Sequence, residues 1–75
     1  MYIIYGFNTC EYCQKAKALL EENDIEYEFH EVPGSKRRYF LESKGFSGDD
    51  MTYPKIWEDE RLVGGFVDLE AEIVL

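Results

Sequence analysis

Two cysteines stand three residues apart, at Cys10 and Cys13, and no other cysteine occurs in the chain. Two thiols at this spacing do one of two things. They exchange electrons with a disulfide, or they supply half of a metal site. The sequence around them puts Cys10 where a strand ends and a helix begins. There its sulfur meets unpaired backbone N–H groups and the positive end of the helix dipole, which favour the thiolate. Cys10 is accordingly the expected nucleophile. Cys13 lies one turn further on the same helix face, more shielded and within reach of a disulfide, and is the expected resolving thiol. A structural zinc site needs four ligands, and the one histidine, His30, falls on an edge strand, so no intramolecular metal site is expected. A bridge between Cys10 and Cys13 closes too short a loop to staple a fold, which sets the pair apart from a disulfide framework.

These thiols need a scaffold, and 75 residues leave room for one domain, taken here as residues 1–75. A chain this short buries about 60% of its unfolded surface and depends on a well-filled core. The composition, 45% apolar and 16% aromatic, supplies one. A net charge of −8 argues against nucleic acid or an anionic membrane as partner. No apolar run approaches a membrane span, and the five-residue run Met1-Tyr2-Ile3-Ile4-Tyr5 carries no basic leader or cleavage site, so a cytoplasmic location is expected.

Met1 to Tyr5, ending at Gly6, reads as a central strand buried on both faces. Tyr12, Ala16, Leu19 and Leu20 recur at helical spacing from Cys10 to Asn23-Asp24. Ile25, Tyr27 and Phe29 alternate with Glu26, Glu28 and His30, the pattern of an edge strand. Two strands joined by a helix imply a parallel pair with a right-handed crossover. Pro33-Gly34-Ser35 breaks the strand. Ser35 is then expected to cap a second helix through Tyr39, Phe40 and Leu41, with Gly45 as its stop. Lys55 to Glu58 and Arg61 to Val63 form a hairpin around Asp59-Glu60. Phe66, Leu69 and Ile73 give a last helix one apolar stripe, with Asp68 in its first turn. The order is β-α-β-α-β-β-α. Tyr2, Tyr5, Phe29, Phe40 and Trp57 are expected in the core, and Tyr12 and Tyr53 at the rim of the reactive site.

Three motifs in this order resemble those of the glutaredoxin family. Cys10-Glu11-Tyr12-Cys13 is similar to its Cys-Pro-Tyr-Cys, Thr52-Tyr53-Pro54 to its Thr-Val-Pro, and Gly64-Gly65-Phe66-Val67-Asp68-Leu69 to its Gly-Gly-X-X-Asp-Leu. The resemblance implies the thioredoxin fold, a four-stranded mixed sheet of order 2-1-3-4 flanked by three helices. It implies a glutathione-dependent thiol-disulfide oxidoreductase with no tightly bound cofactor. Tyr53 would precede a cis proline and offer its backbone to substrate. Gly65, the backbone of Val67, and Asp68 would receive the γ-glutamyl end of glutathione. Clients would be disulfide-containing proteins; ribonucleotide reductase is a common one for compact bacterial and phage members, and the protein is expected to be a monomer.

Two departures bear on this. Phe7 stands where the family usually has Lys or Arg, a group that pairs with the glycine-end carboxylate of glutathione; Lys55, just after Pro54, is a candidate for the same carboxylate. Glu11 replaces Pro and adds a negative charge beside the thiolate, although a carboxylate also suits a helix start. Lys36-Arg37-Arg38, the one basic cluster, reads as a solvated face or as a contact for carboxylates of glutathione or a protein partner. A small redoxin reduced by thioredoxin reductase and a glutathione-ligated iron–sulfur carrier remain alternatives.

Overall fold

The computed structural model describes residues 1–74. Strand β1 (Tyr2–Gly6) leads through helix α1 (Glu11–Glu22) to β2 (Tyr27–Glu31). A single 3-10 turn (Gly34–Lys36) opens helix α2 (Arg37–Ser43). A second 3-10 turn (Gly48–Asp50) precedes the hairpin of β3 (Lys55–Glu58) and β4 (Arg61–Gly64), and helix α3 (Phe66–Val74) follows. The sheet has the order β2-β1-β3-β4. β1 runs parallel to β2 and antiparallel to β3, with Ile4 opposite both Phe29 and Ile56. This is the mixed α/β arrangement expected of the thioredoxin fold.

Burial follows the strand alternation. On one face Tyr2, Ile4 and Ile56 meet Ala16 and Leu20 of α1 and Leu69 of α3, all buried. Each large apolar side chain removed from water there contributes about 1.5–3 kcal/mol. The core therefore lies between the sheet and the α1/α3 layer. The opposite face departs from the reading of β1 as buried on both sides. Ile3 and Tyr5 are only half-buried, because seven-residue α2 is too short to cover that face. Tyr5, Phe40 and Trp57 pack there, with ring centroids 4.8 Å apart for Tyr5–Phe40 and 5.5 Å for Tyr5–Trp57. Of the five aromatics assigned to the core, Tyr2 is buried; Tyr5, Phe29, Phe40 and Trp57 are half-buried.

The helix ends are mostly where turn chemistry puts them. Asp24, at φ +56°, ends α1, and Gly45, at φ +89°, ends α2. Ser35 is the exception. Its side chain caps nothing, because the chain is already turning at Gly34 and Ser35 lies inside the 3-10 turn. The bend is held instead by Lys36 N–H donating to Pro33 O at 2.8 Å and by Arg37 Nε donating to Val32 O at 3.2 Å.

At the other end of the sheet, α3 is tied down by one polar cluster. Tyr2 Oη donates to Glu72 Oε2 at 2.6 Å, and Arg61 donates to Glu72 at 2.8 Å and to Glu58 at 2.7 Å. Burial and the Glu72 contact push the Tyr2 phenol up to about 12. Hydrogen bonds from Arg61 and then Tyr2 hold the Glu72 carboxyl below its ordinary range.

Candidate active site

The chain leaves β1 at Gly6 and enters α1 at Glu11 through one tight turn, closed by Cys10 N–H donating to Phe7 O at 3.1 Å. Gln14 Nε2 donates to Asn8 O at 2.8 Å, and Asn8 Nδ2 donates to Glu31 at 2.9 Å, so the turn is pinned from both sides. Cys10 occupies the N-cap of α1 in extended backbone, and its Sγ accepts from Cys13 N–H at 3.2 Å. The sulfur thus does what a Ser or Asp oxygen does at other helix starts. Cys10 is half-buried, and its sulfur lies 3.8 Å from the Tyr53 carbonyl oxygen. Cys13 is fully buried. Burial first, and then its contact with Cys10, push its thiol up to about 12, so at neutral pH it is held protonated.

The Tyr53–Pro54 bond is cis. Tyr53, whose carbonyl oxygen faces the Cys10 sulfur, lines two hollows together with Thr52, and Cys10 itself lines neither. One, of about 680 Å³, is lined by Phe7, Arg37, Arg38, Leu41 and Met51 besides. Its floor is built from stacking. The Arg37 Cζ atom lies 3.5 Å from the centroid of the Phe7 ring, and that ring meets Tyr53 edge-on at 5.7 Å. Tyr53 Oη donates to Arg37 O at 2.8 Å, which ties α2 to the proline loop.

The other hollow, of about 600 Å³, runs past Tyr12, Pro54 and Lys55 to Gly64, Gly65, Phe66, Val67 and Asp68. Tyr12 is half-exposed at its rim and packs against Phe66, centroids 5.9 Å apart. Asp68 Oδ2 accepts from Gly65 N–H at 3.0 Å across the start of α3. Gly64, at φ +123°, is the position here that requires glycine: a Cβ on it would lie 2.3 Å from Asp68 Oδ2. A Cβ on Gly65 would meet nothing nearer than Pro54 O at 3.8 Å.

The site residues drawn from the motifs therefore lie beside Cys10 or along these two hollows, while Leu69 of the third motif is in the core. Lys55 is the one whose surroundings differ from expectation. It is buried, with Nζ 4.4 Å from the Phe46 ring, and it lines the hollow of Tyr12 and Asp68 rather than that of Phe7. The cation beside Phe7 is Arg37. The sequence offers Arg37 only within the Lys36-Arg37-Arg38 cluster, as a solvated face or a contact for carboxylates, because a helical register relative to a distant turn is not written in local spacing. Met51, in the loop just before Thr52, carries no chemical signal of its own, and only the packing of that loop against α2 brings it to the hollow. Among the described residues, no group of three or more His, Cys, Asp or Glu side chains is placed to hold a metal ion, and no helix is long and apolar enough to cross a membrane.

A mixed sheet of this order, with a dithiol at the N-terminus of its first helix and a cis-proline loop against it, defines a thioredoxin-fold redox protein. The glutaredoxin family model matches residues 2–63, and the chain belongs to the glutaredoxin family. It is 41% identical over 69 residues to glutaredoxin 1 of Rickettsia bellii, an alignment spanning 89% of this chain and 70% of that protein. Against glutaredoxin 3 of Escherichia coli the identity is 34% over 70 residues, spanning 91% and 80%. Among solved structures, glutaredoxin 1 from Francisella tularensis, crystallised with cacodylate, superposes with a TM-score of 0.82 at 33% identity, covering 95% of this chain and 88% of that one. Membership carries the thiol-disulfide oxidoreductase role with it.

Proposed function

We propose that the protein reduces protein disulfides and glutathione mixed disulfides by a dithiol cycle on Cys10 and Cys13, with glutathione as reductant. The observation that carries this reading is the pairing of a partly accessible N-cap cysteine with a fully buried, protonated neighbour one turn away. The Cys10 thiolate attacks one sulfur of the client disulfide, and the other sulfur leaves as a thiolate. Cys13 then attacks the Cys10 sulfur of the mixed disulfide, giving up its proton as the second client thiolate departs and the Cys10–Cys13 disulfide forms. Two glutathione thiols restore the dithiol and leave as glutathione disulfide. The electrons come from glutathione throughout.

Glutathione fits the two hollows from opposite ends. The Gly65 N–H and the start of α3 face one hollow, where the γ-glutamyl carboxylate finds backbone donors and Asp68 takes the amino group. For that, the Asp68 carboxylate exchanges its bond to Gly65 N–H for the ligand. The Arg37 guanidinium on Phe7 faces the other, in reach of the glycine-end carboxylate. Thr52, Tyr53 and Pro54 lie between, with the Tyr53 backbone available to a substrate peptide. Arg37 supplies the positive charge that Phe7 lacks, which favours glutathione over thioredoxin reductase as the source of electrons. A cytoplasmic monomer acting on client proteins such as ribonucleotide reductase completes the reading.

The test is reduction of a glutathionylated peptide and of a protein disulfide, each coupled in turn to glutathione with glutathione reductase and to thioredoxin reductase with NADPH. Turnover with the glutathione system supports the proposal. Turnover only with thioredoxin reductase overturns it.

A further inference from the structure

Gly6, the last residue of β1, lies outside all three motifs, yet it touches the resolving thiol. It is buried, and its carbonyl accepts from Val32 N–H at 2.7 Å, so its backbone is held between the sheet and the turn that follows β2. A Cβ on Gly6 would lie 2.3 Å from Cys13 Sγ and 3.2 Å from Cys13 Cβ. No side chain tolerates the first of these distances. Nor does φ at Gly6 fall in the left-handed region, so the glycine is not there for its backbone conformation. What it provides is space, and the atom occupying that space is the sulfur of Cys13.

We infer that Gly6 forms a recess that holds the Cys13 sulfur in the dithiol state and so sets the balance between the reduced and oxidised forms of the Cys10–Cys13 pair. This rests on the dithiol cycle proposed above. In the dithiol, Cys13 Sγ is sunk against Gly6 with no exposure to water. In the disulfide it must stand about 2.03–2.05 Å from Cys10 Sγ, which belongs to the half-buried N-cap residue and faces Tyr53 O. Oxidation therefore draws the sulfur away from Gly6 toward Cys10, while two electrons pass to the client disulfide and the Cys13 proton to the departing thiolate. The recess is filled in one state and relaxed in the other. A methyl group at Gly6 penalises the filled state selectively, and the variant holds its disulfide more tightly and donates electrons more readily.

The experiment equilibrates wild type and Gly6→Ala against reduced and oxidised dithiothreitol and counts Cys10–Cys13 disulfide by mass after alkylation. Overpacking of this kind favours the disulfide about tenfold, a potential about 30 mV more negative. A companion cycle compares thermal midpoints of Gly6→Ala, Cys13→Ala and the double variant under reducing conditions. Gly6→Ala should lower the midpoint when Cys13 is present and much less when it is Ala. A variant that folds only in the Cys13→Ala background supports the recess as well. An unchanged dithiothreitol equilibrium, or an equal loss of stability with and without the Cys13 sulfur, overturns it. A wild-type protein that forms no Cys10–Cys13 disulfide is a failure of the dithiol cycle itself, and the stability cycle then still decides whether the recess exists.

Discussion

The Arg37 guanidinium lies over the Phe7 ring, its Cζ 3.5 Å from the ring centroid, so the first turn of α2 brings a positive charge to the place where the family usually carries one in the loop before the thiols. The charge comes from one element and the seat from another. Phe7 contributes a flat apolar surface that a cation covers favourably. Tyr53, bonded through its hydroxyl to Arg37 O and stacked edge-on to Phe7, locks the pair to the proline loop.

If Arg37 receives the glycine-end carboxylate, Arg37→Ala should raise KM for glutathione and leave kcat little changed. A partly exposed pair contributes about 0.2–1 kcal/mol, up to roughly fivefold. The effect should shrink with added salt, since such attractions are screened beyond about 10 Å at 0.1 M. Phe7→Lys in the Arg37→Ala background should restore part of the loss. Lys55→Ala should act differently, because Lys55 packs under Phe46 in the other hollow. Steady-state kinetics at low and high salt check all three; an Arg37→Ala enzyme with wild-type KM would move the carboxylate elsewhere.

The two cysteines should be unequal in every assay. Cys10→Ser should abolish activity. Cys13→Ser should lose protein-disulfide reduction yet turn over glutathionylated substrates, which need only Cys10 and free glutathione. Iodoacetamide at pH 7 should label Cys10 first, since Cys13 is fully buried and its thiol is pushed up to about 12. Faster labelling of Cys13, read by peptide mass, would reverse the roles.

The adjacent glycines at the junction of β4 and α3 should respond unequally to a methyl group. Gly64→Ala combines φ +123° with a Cβ 2.3 Å from Asp68 Oδ2. It should destabilise by more than about 1 kcal/mol and raise KM for glutathione by displacing the Asp68 carboxylate. Gly65→Ala, with its nearest neighbour at 3.8 Å, should stay within about 0.5 kcal/mol of wild type. Urea midpoints for the pair are the measurement, and equal losses would refute the distinction.

Stability should fall at both ends of the pH range for identifiable reasons. Cys13 and Tyr2 have folded values of about 12, above ordinary values of 9.0 and 10.0. Their contributions are whole below pH 9 and 10 respectively, and are lost as pH rises toward 12. Glu72 is held below its ordinary 4.5, so its contribution is present above that pH and is lost as pH falls through the folded value. Denaturation midpoints followed against pH should show a shallower alkaline decline in Tyr2→Phe and a shallower acid decline in Glu72→Gln. Profiles parallel to wild type would remove the Tyr2–Glu72–Arg61 cluster from the account.

What was legible in the chain was whatever is encoded locally. Period-3.6 patterns place α1 and α3 and alternation places β2, because one face of each must leave water, while a continuous apolar run marks β1 and turn residues mark α2 and the hairpin. Thr52-Tyr53-Pro54 and the thiol pair announced themselves by residue type and spacing. Even the hairpin at Asp59-Glu60 was visible in its turn residues, Asp59 taking φ +54°. What the chain did not reveal were relationships between elements. The half-covered face of β1 depends on how far α2 reaches, and α2 was shortened by a 3-10 turn that left Ser35 without a capping role. Arg37 over Phe7, Lys55 under Phe46 and Gly6 beneath the Cys13 sulfur join residues 30, 9 and 7 positions apart through packing alone. Periodicity says which side of a helix is dry; only the packed tertiary structure decides which side chain on that helix meets a given loop, since the register and tilt of one element against another are set by the fit of the whole core.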